Sequence, residues 1–470
     1  MNCLRAICIA TVGLAVLPGC LRYHSLPLKP AATAAAFEAR SLDEPALREF
    51  VDKWRQPAAV GWPPAQWDFP TLTLVAFYFH PSLDTARAQW GVARAGVKTA
   101  GGRPNPVLNV VPGYSMNPAS GLSPWLPLVN LDVPIETAGK RGLRVAHAEN
   151  LSEAARLNIA ATAWQVRSAL RVALLDYASA QRRAELLQQL LQLQQQIITL
   201  LEQRLQAGAV ARSELTLPRI TLARTGVDFA DATRQAAEAR ARIAEALGVP
   251  AKATAGAKFE ARLPLDPEAG KDLASAEVRQ RALLGRPDIL AALAEYAASE
   301  SALRTEIARQ YPDLHLNPGY QFDQGEHKWS VGLSADLPVL NQNQGPIAEA
   351  TARRDEAAAR FLARQAKVIG EIDRALAARL ASLDQVTRQR GLTQLAREQS
   401  SAVDAMFKAG AADKLELSNS QLEVSVNDLA FLDAEIKAHQ AIAQLEDAVQ
   451  HPLEAWPALE QGRSAQAKGR

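Results

Sequence analysis

The apolar positions of this chain follow two periods, and the switches between them outline its architecture. From Asp313 to Phe322 the residues alternate: Leu314, Leu316, Pro318, Tyr320 and Phe322 take one face, and Asp313, His315, Asn317, Gly319 and Gln321 take the other. A polar turn of Asp323, Gln324, Gly325 and Glu326 follows. The alternation then resumes, with Trp329, Val331, Leu333, Ala335 and Leu337 opposed to Lys328, Ser330, Gly332, Ser334 and Asp336. Period two in two runs joined by a glycine-bearing turn predicts a β-hairpin with one apolar and one polar face. Each run is about ten residues, the length a tilted strand needs to cross a bilayer core. A half-buried hairpin of a soluble sheet would show the same alternation.

A second copy lies upstream, from Asn105 to Pro134. Pro112-Gly113-Tyr114 corresponds to Pro318-Gly319-Tyr320, and Leu131-Asp132-Val133-Pro134 to Ala335-Asp336-Leu337-Pro338. Gln206 to Leu217 (QAGAVARSELTL) also corresponds to Lys408 to Asn419 (KAGAADKLELSN). The offsets drift only between about 202 and about 206 residues, which indicates duplication of a whole segment.

Between the hairpins the period is helical. A helix of few breakers is predicted from about Lys140 to Ala207, with Leu186, Leu190, Leu193, Ile197 and Leu200 as a coiled-coil seam. At about 1.5 Å per residue it reaches on the order of 100 Å, longer than a compact domain needs. Gly208 ends it as a left-handed cap, and a return helix runs to about Leu247, stopped by Gly248-Val249-Pro250. The second copy repeats the plan: a long helix from about Pro346 to Ala409 with Val368, Ile372, Leu376, Leu380 and Leu383 on one face, then Gly410. An Asp413-x-x-Glu416 capping box starts a return helix to about Gln450. A helix from Phe69 through Pro81 to about Ala100 precedes the first hairpin. One from Asp272 to about Gln310, carrying Arg286-Pro287-Asp288 inside it, precedes the second. The expected organisation is 1–19 signal peptide; 20–68 N-terminal arm with a short helix at Pro45 to Trp54; 69–248 first repeat; 249–270 linker; 271–450 second repeat; and 451–470 a loose polar tail.

Composition narrows the function. The 470 residues carry a formal net charge of +2 and no basic cluster with interleaved aromatics, which argues against nucleic-acid binding. All three cysteines (Cys3, Cys8, Cys20) lie at the start, where Arg5, an apolar run from Ala6 to Leu17 and Leu17-Pro18-Gly19-Cys20 read as a secretory signal. The small residue before Cys20 resembles a bacterial lipobox and makes Cys20 the expected lipidated (palmitate-bearing) residue; cleavage near Gly19, or retention as an anchor, is the alternative. Leu21 rather than Asp then directs the chain to the outer membrane. No later stretch approaches the roughly twenty apolar residues of a membrane helix, so a spanning structure must be a closed barrel. Four strands cannot close one, so sister subunits must supply the rest. The histidines (His24, His80, His147, His315, His327, His439, His451) show no metal-ligand spacing, and no catalytic motif stands out; neither a resident metal, a cofactor nor an enzyme is expected.

These features resemble the TolC-like outer-membrane efflux proteins from about Trp67 to Gln450. Local wording is similar at AGGRPNPVL (Ala100 to Leu108), VPIETAGKR (Val133 to Arg141), ADLPVLNQNQG (Ala335 to Gly345) and the two Ala-Gly-Ala tips. VPIETAGKR resembles the IELGGKR signature of the cobalt-zinc-cadmium resistance outer-membrane components, departing from it at Thr137 and Ala138. The resemblance implies a mainly α fold with a small β part: a trimeric twelve-stranded β-barrel, four strands per subunit, continued by an α-helical periplasmic tunnel. Pro134 and Pro338 mark the barrel-to-tunnel transition, where a residue that cannot donate to a ladder ends it. The implied function is a passive exit duct in outer-membrane lipid, joined through a periplasmic adaptor to an inner-membrane pump of the resistance-nodulation-division type. It would conduct metal cations or small toxic compounds. The tips at Gly208 and Gly410, with Leu215 and Leu417, are the implied adaptor contact, and Glu416, Asn419 and Asp413 the implied constriction ring. Glu416 as a helix cap alone, and its counterpart Glu214 as solvated surface, are the plainer readings. Tyr114, Trp125, Tyr320 and Trp329 fit an interfacial girdle or ordinary core aromatics. His315 faces the implied lumen as a polar wall residue. A duct for type I protein secretion, or a lipid-anchored coiled-coil scaffold without a pore, is the alternative function.

Overall fold

The computed structural model describes residues 23–55, 61–260 and 276–451; the signal segment, Cys20 and the polar tail beyond His451 lie outside them. A unit ending at Ser41 holds helix α1 (Pro30–Glu38), which has no buried side chain, and the Arg40 guanidinium sits 5.2 Å from the centre of the Phe37 ring.

The remainder forms the second unit. Helix α2 (Pro45–Trp54) falls where the sequence places it and buries Leu47 and Val51. Helix α3 (Phe69–Phe79) starts at Asp68, whose carboxylate accepts from the Thr71 N–H at 2.9 Å. Helix α4 (Pro81–Ala100) follows. One helix was expected here; instead His80 is extended (ψ 121°), because the Pro81 ring excludes the helical region for the residue before it. The same correction applies at Arg286 (ψ 126°), which separates α7 (Ala276–Gly285) from α8 (Pro287–Ala308).

Strands β1 (Val107–Val111), β2 (Leu128–Ile135), β3 (Leu314–Asp323) and β4 (Glu326–Ala335) form one antiparallel sheet in sequence order, so the two hairpins of the duplicated halves are joined edge to edge. Tyr320 pairs with Trp329 across β3–β4, and Val129 with Tyr320 across β2–β3. The β3–β4 turn is shorter than expected, because Asp323 and Glu326 still pair. Only Gln324 and Gly325 turn, both with positive φ (51° and 99°), as a two-residue hairpin matched to strand twist requires.

The long helices are α5 (Lys140–Gln206, 67 residues) and α9 (Gln344–Lys408, 65 residues), each returned by a shorter partner, α6 (Thr216–Leu247) and α10 (Lys414–Val449). On α5 the buried seam is Leu186, Leu187, Leu190, Gln194, Ile197, Ile198 and Leu201, with Leu193 and Leu200 at its half-buried flank. On α9, Val368 and Ile372 are buried, but Ala375, Arg379, Ser382 and Val386 continue the buried line. Leu380, expected on that line, is 65% exposed. Each step of four residues turns a 3.6-residue helix about 40° past a full circle, so three such steps from Val368 rotate Leu380 about 120° off the seam.

The largest core gathers Leu47, Val51, Leu72, Val75, Leu170, Leu174, Ile243 and Leu247 where α2, α3, α5 and α6 meet. The segment from Val249 to Glu260, expected as part of a linker, is built into this core. A short 3-10 helix (Ala251–Thr254) buries Thr254, and Phe259 packs edge-on against Tyr177 at 5.7 Å. Trp67 and Phe259 form a bridge, with Trp67 N–H donating to Lys258 C=O at 2.9 Å. Arg240 fastens the turn by donating to the carbonyls of Thr254 (2.6 Å), Ala255 (2.9 Å) and Ala257 (2.8 Å). Apolar burial against Tyr177 therefore overrides the weak periodicity of the segment.

Candidate functional site

At one end of the helical body both long helices terminate alike. Gly208 (φ 72°) and Gly410 (φ 76°) occupy the left-handed position. Gly208 N–H donates to Leu205 C=O and Ala209 N–H to Arg204 C=O; Gly410 N–H donates to Phe407 C=O and Ala411 N–H to Met406 C=O. Both tips are Schellman caps, closed by the same chemistry in the two repeats.

The tips differ in how the return helix begins. Asp413 caps α10, its carboxylate accepting from Leu415 N–H (2.8 Å) and Glu416 N–H (2.9 Å). Those amides, and then the Arg204 guanidinium 2.7 Å away, hold its carboxyl below the usual range. In the first repeat Ala211 stands at the cap, and Glu214 instead reaches back to accept from the Ala211 N–H at 2.9 Å. Glu214 is thus tied to backbone rather than free in solvent. Each tip holds half of a capping box, from opposite ends.

Glu416 and Asn419 are exposed and three residues apart, hence on one face of α10, with Asp413 one turn earlier. Leu215, expected at a contact surface, is 2% exposed: it packs with Ile197, Leu201 and Leu415 and supports the tip from inside. Leu417 is half-buried. Leu217 and Ile220 are the exposed apolar residues beside the first tip. The Arg204–Asp413 link was not legible, because its partners are separated by 209 residues; a basic residue in a last helical turn was the available signal.

At the opposite end stands the sheet, whose outer strands β1 and β4 have unpaired far edges among the described residues. Register and alternation assign Val129, Leu131, Val133, Leu314, Leu316, Tyr320, Trp329, Val331 and Leu333 to one face, and Asn109, Asn130, Asp132, His315, Asn317, Ser330 and Ser334 to the other. Trp329, Val331 and Leu333 are exposed along the edge strand. The four expected girdle aromatics pair off: Tyr114 with Trp125 at 5.1 Å and Tyr320 with Trp329 at 4.9 Å. On the polar face His315 Nδ1 lies 2.9 Å from Asp132 Oδ1.

Where sheet meets helices, Lys140 is buried and its ammonium donates to Tyr311 C=O (2.7 Å) and Asp313 (2.8 Å). Thr137 N–H also donates to Asp313, at 2.8 Å. The TAGKR wording therefore locks the exit of β2 to the entry of β3, beside an open cavity of about 490 Å³ lined by Thr137, Ala138, Tyr311 and Pro312. Pro134 is not the last residue of its ladder: it pairs with His315, and Ile135 still pairs with Leu314. The ladder survives because β1 has already ended opposite Asp132. Pro338 lies three residues past the end of β4.

A third cluster, unseen in the sequence, clamps α5 to α10. Glu446 is 1% exposed and accepts from Arg167 at 2.6 Å and from Arg171. Arg167 also lies over the rings of Phe69 and Trp164. Asp447 accepts from the Trp164 indole at 3.0 Å and from Ser168, and burial pushes its carboxyl up. In the second repeat Arg286 donates to Ala448 C=O (2.6 Å) and pairs with Asp288. Among the described residues no group of three or more His, Cys, Asp or Glu could hold a metal ion, and no helix is long and apolar enough to cross a membrane.

Residues 79–249 and 278–449 match the family model described as outer membrane efflux protein. Over 237 residues the chain is 27% identical to the cobalt-zinc-cadmium resistance protein CzcC of Cupriavidus metallidurans, a match covering 50% of this chain and 55% of that protein. The chain thus spans about half the length or less of the curated relatives it matches. It is similar in structure to the outer-membrane channel OprN (TM-score 0.67, 20% identity, 93% of this chain and 99% of that one). It is also similar to the outer membrane protein VceC from Vibrio cholerae (TM-score 0.67, 19% identity, 84% of this chain and 100% of that one). At such identity these likenesses establish the fold: mainly helical, with a small antiparallel sheet, in the architecture of outer-membrane channels.

Proposed function

The chain belongs to the outer membrane efflux protein family, whose members are non-enzymatic outer-membrane channels working as trimers within tripartite efflux systems, and from that membership we propose its particular role. It is the exit duct of such a system, passively conducting metal cations or small toxic compounds that an inner-membrane pump delivers through a periplasmic adaptor. Three copies close a barrel of about twelve strands, β4 of one pairing with β1 of the next. Cys20 carries the lipid that holds the arm to the outer membrane, and residues 69–248 and 271–450 are the two repeats. The tips at Gly208 and Gly410 meet the adaptor, and Glu416, Asn419 and Asp413 ring the periplasmic mouth.

One observation carries this reading: a four-stranded sheet whose two outer edges are unpaired among the described residues and which has one continuous apolar face. Such a sheet is unsatisfied in water and in lipid alike until its edges are joined. Similarity to CzcC and the TAGKR wording favour metal cations as cargo.

Gene deletion tests the cargo. Growth is compared across zinc, cobalt, cadmium, copper and silver salts and a panel of hydrophobic drugs and dyes. Sensitivity to the metals is expected; sensitivity to drugs alone would overturn the metal reading and leave the duct standing. Native mass in detergent tests the assembly, and a monomer would overturn the shared barrel.

A further inference from the structure

We propose that His315 is a low-affinity station for divalent transition-metal cations on the polar wall of the sheet, with Asp132 as its positioning residue. The inference rests on the duct reading in one respect, that the polar face of the sheet lines the lumen.

The hydrogen bond decides the state of the ring. A carboxylate only accepts, so the 2.9 Å contact between Asp132 Oδ1 and His315 Nδ1 places the proton on Nδ1. The neutral imidazole then carries its lone pair on Nε2, which has no hydrogen-bond partner among the described residues. A carboxylate behind one ring nitrogen, with the other left open, is the arrangement that fixes the tautomer and orientation of a metal-ligating histidine. Ring and carboxylate are each about one-third exposed, so the pair is held by the sheet yet reachable from its polar side.

The surroundings suit a cation. Ser334 is directly opposite His315 in the register, and Gly332 opposite Asn317, so the neighbouring side chains on β4 are short. Of the nearby carboxylates, Asp313 is balanced by Lys140 and Glu136 by Arg144. Asp132, and the exposed Asp336 just beyond the end of β4, add negative charge at this end of the sheet. One imidazole and one positioning carboxylate per chain make a weak site. Weak binding suits a conducting path, where a cation must enter and leave. In a threefold assembly the station recurs three times at one level of the wall.

The test uses the full-length purified protein in detergent, with zinc chloride as probe at pH 7.5 and magnesium chloride as the hard-cation control. Equilibrium zinc binding is measured for the wild type, His315→Gln, Asp132→Asn and His327→Gln, the last on the opposite face beside Tyr320. The expected result is loss of one zinc per chain in His315→Gln, a roughly 10–100-fold weaker site in Asp132→Asn, and no change in His327→Gln. A zinc isotherm of His315→Gln identical to the wild type overturns the site. Planar-bilayer conductance of the same samples separates this inference from the duct. A conducting wild type with His315-independent zinc binding refutes the station alone. His315-dependent binding in a protein that does not conduct supports the station and refutes the duct.

Discussion

The Arg204 guanidinium lies 2.7 Å from the Asp413 carboxylate, so the last turn of one long helix holds the cap of the other repeat's return helix. Asp413 does two separable things. Asp413→Asn keeps an oxygen for the Leu415 and Glu416 amides but loses the charge, Arg204→Ala removes only the link, and Asp413→Ala removes both. Loss of the cap costs about 1 kcal/mol of local stability. Limited trypsin digestion at Lys408, Arg212 and Lys414, which flank the tips, reads the result. Cleavage is expected to be fastest in Asp413→Ala. Equal rates in all three variants would show that the tips do not depend on this residue.

Glu446 accepts from both Arg167 and Arg171, and it is almost wholly buried. Breaking a buried ion pair by removing one partner costs roughly 3–5 kcal/mol, because the charge left behind loses its nearest counter-charge in a dry site. Glu446→Gln is therefore expected to lower the thermal midpoint strongly. The double variant Arg167→Met/Glu446→Gln should recover part of the loss, since one buried cation goes with the anion. A single variant that melts like the wild type would sink this account of the clamp.

The two periods in the sequence carried the strands, the long helices and the duplication, because each is written locally: alternation, heptad-like spacing, and glycine where φ must be positive. What was illegible is carried by partners far apart in the chain. Lys140 lies within the TAGKR wording, but its role depends on Asp313, 173 residues away. The clamp of Arg167 on Glu446 joins residues 279 apart, and nothing near either suggests the other. Pro81 and Pro287 were visible, and the breaks before them follow from proline sterics alone. Leu215 was expected at the adaptor contact, as the family resemblance implied for it and its counterpart Leu417; packing on Ile197 and Leu201, distant in the chain, buries it.

Two left-handed glycines should respond differently to alanine. At Gly208 an added Cβ meets nothing within 4 Å, so only the backbone conformation is strained, at about 1–2 kcal/mol. At Gly248 the same atom would sit 2.8 Å from Phe79 C=O and 2.9 Å from His80 Cα, both backbone, in addition to the same strain. Gly248→Ala is expected to lower folded yield and thermal midpoint well beyond Gly208→Ala. The reverse order would show that the packing of α6 against the α3–α4 break is loose.

His439 on α10 gives the protein an acid limit. Burial, and then the charge of Arg171, lowers its imidazole from 6.5 to about 4. Between those values the unfolded chain binds a proton that the folded chain refuses. Its contribution is therefore fully present above about pH 6.5 and is lost progressively as the pH falls toward 4. Asp447, pushed up by burial, acts in the opposite sense: it retains a proton in the folded state, so its contribution is present at acid pH and lost as the pH rises through its raised value. The two overlap, and a single pH scan of the wild type mixes them. Comparing thermal midpoints of the wild type and His439→Gln at pH 7.5, 6 and 5 isolates the histidine. The wild type is expected to lose more of its midpoint than the variant between pH 6 and 5; parallel losses would assign the acid sensitivity to other groups.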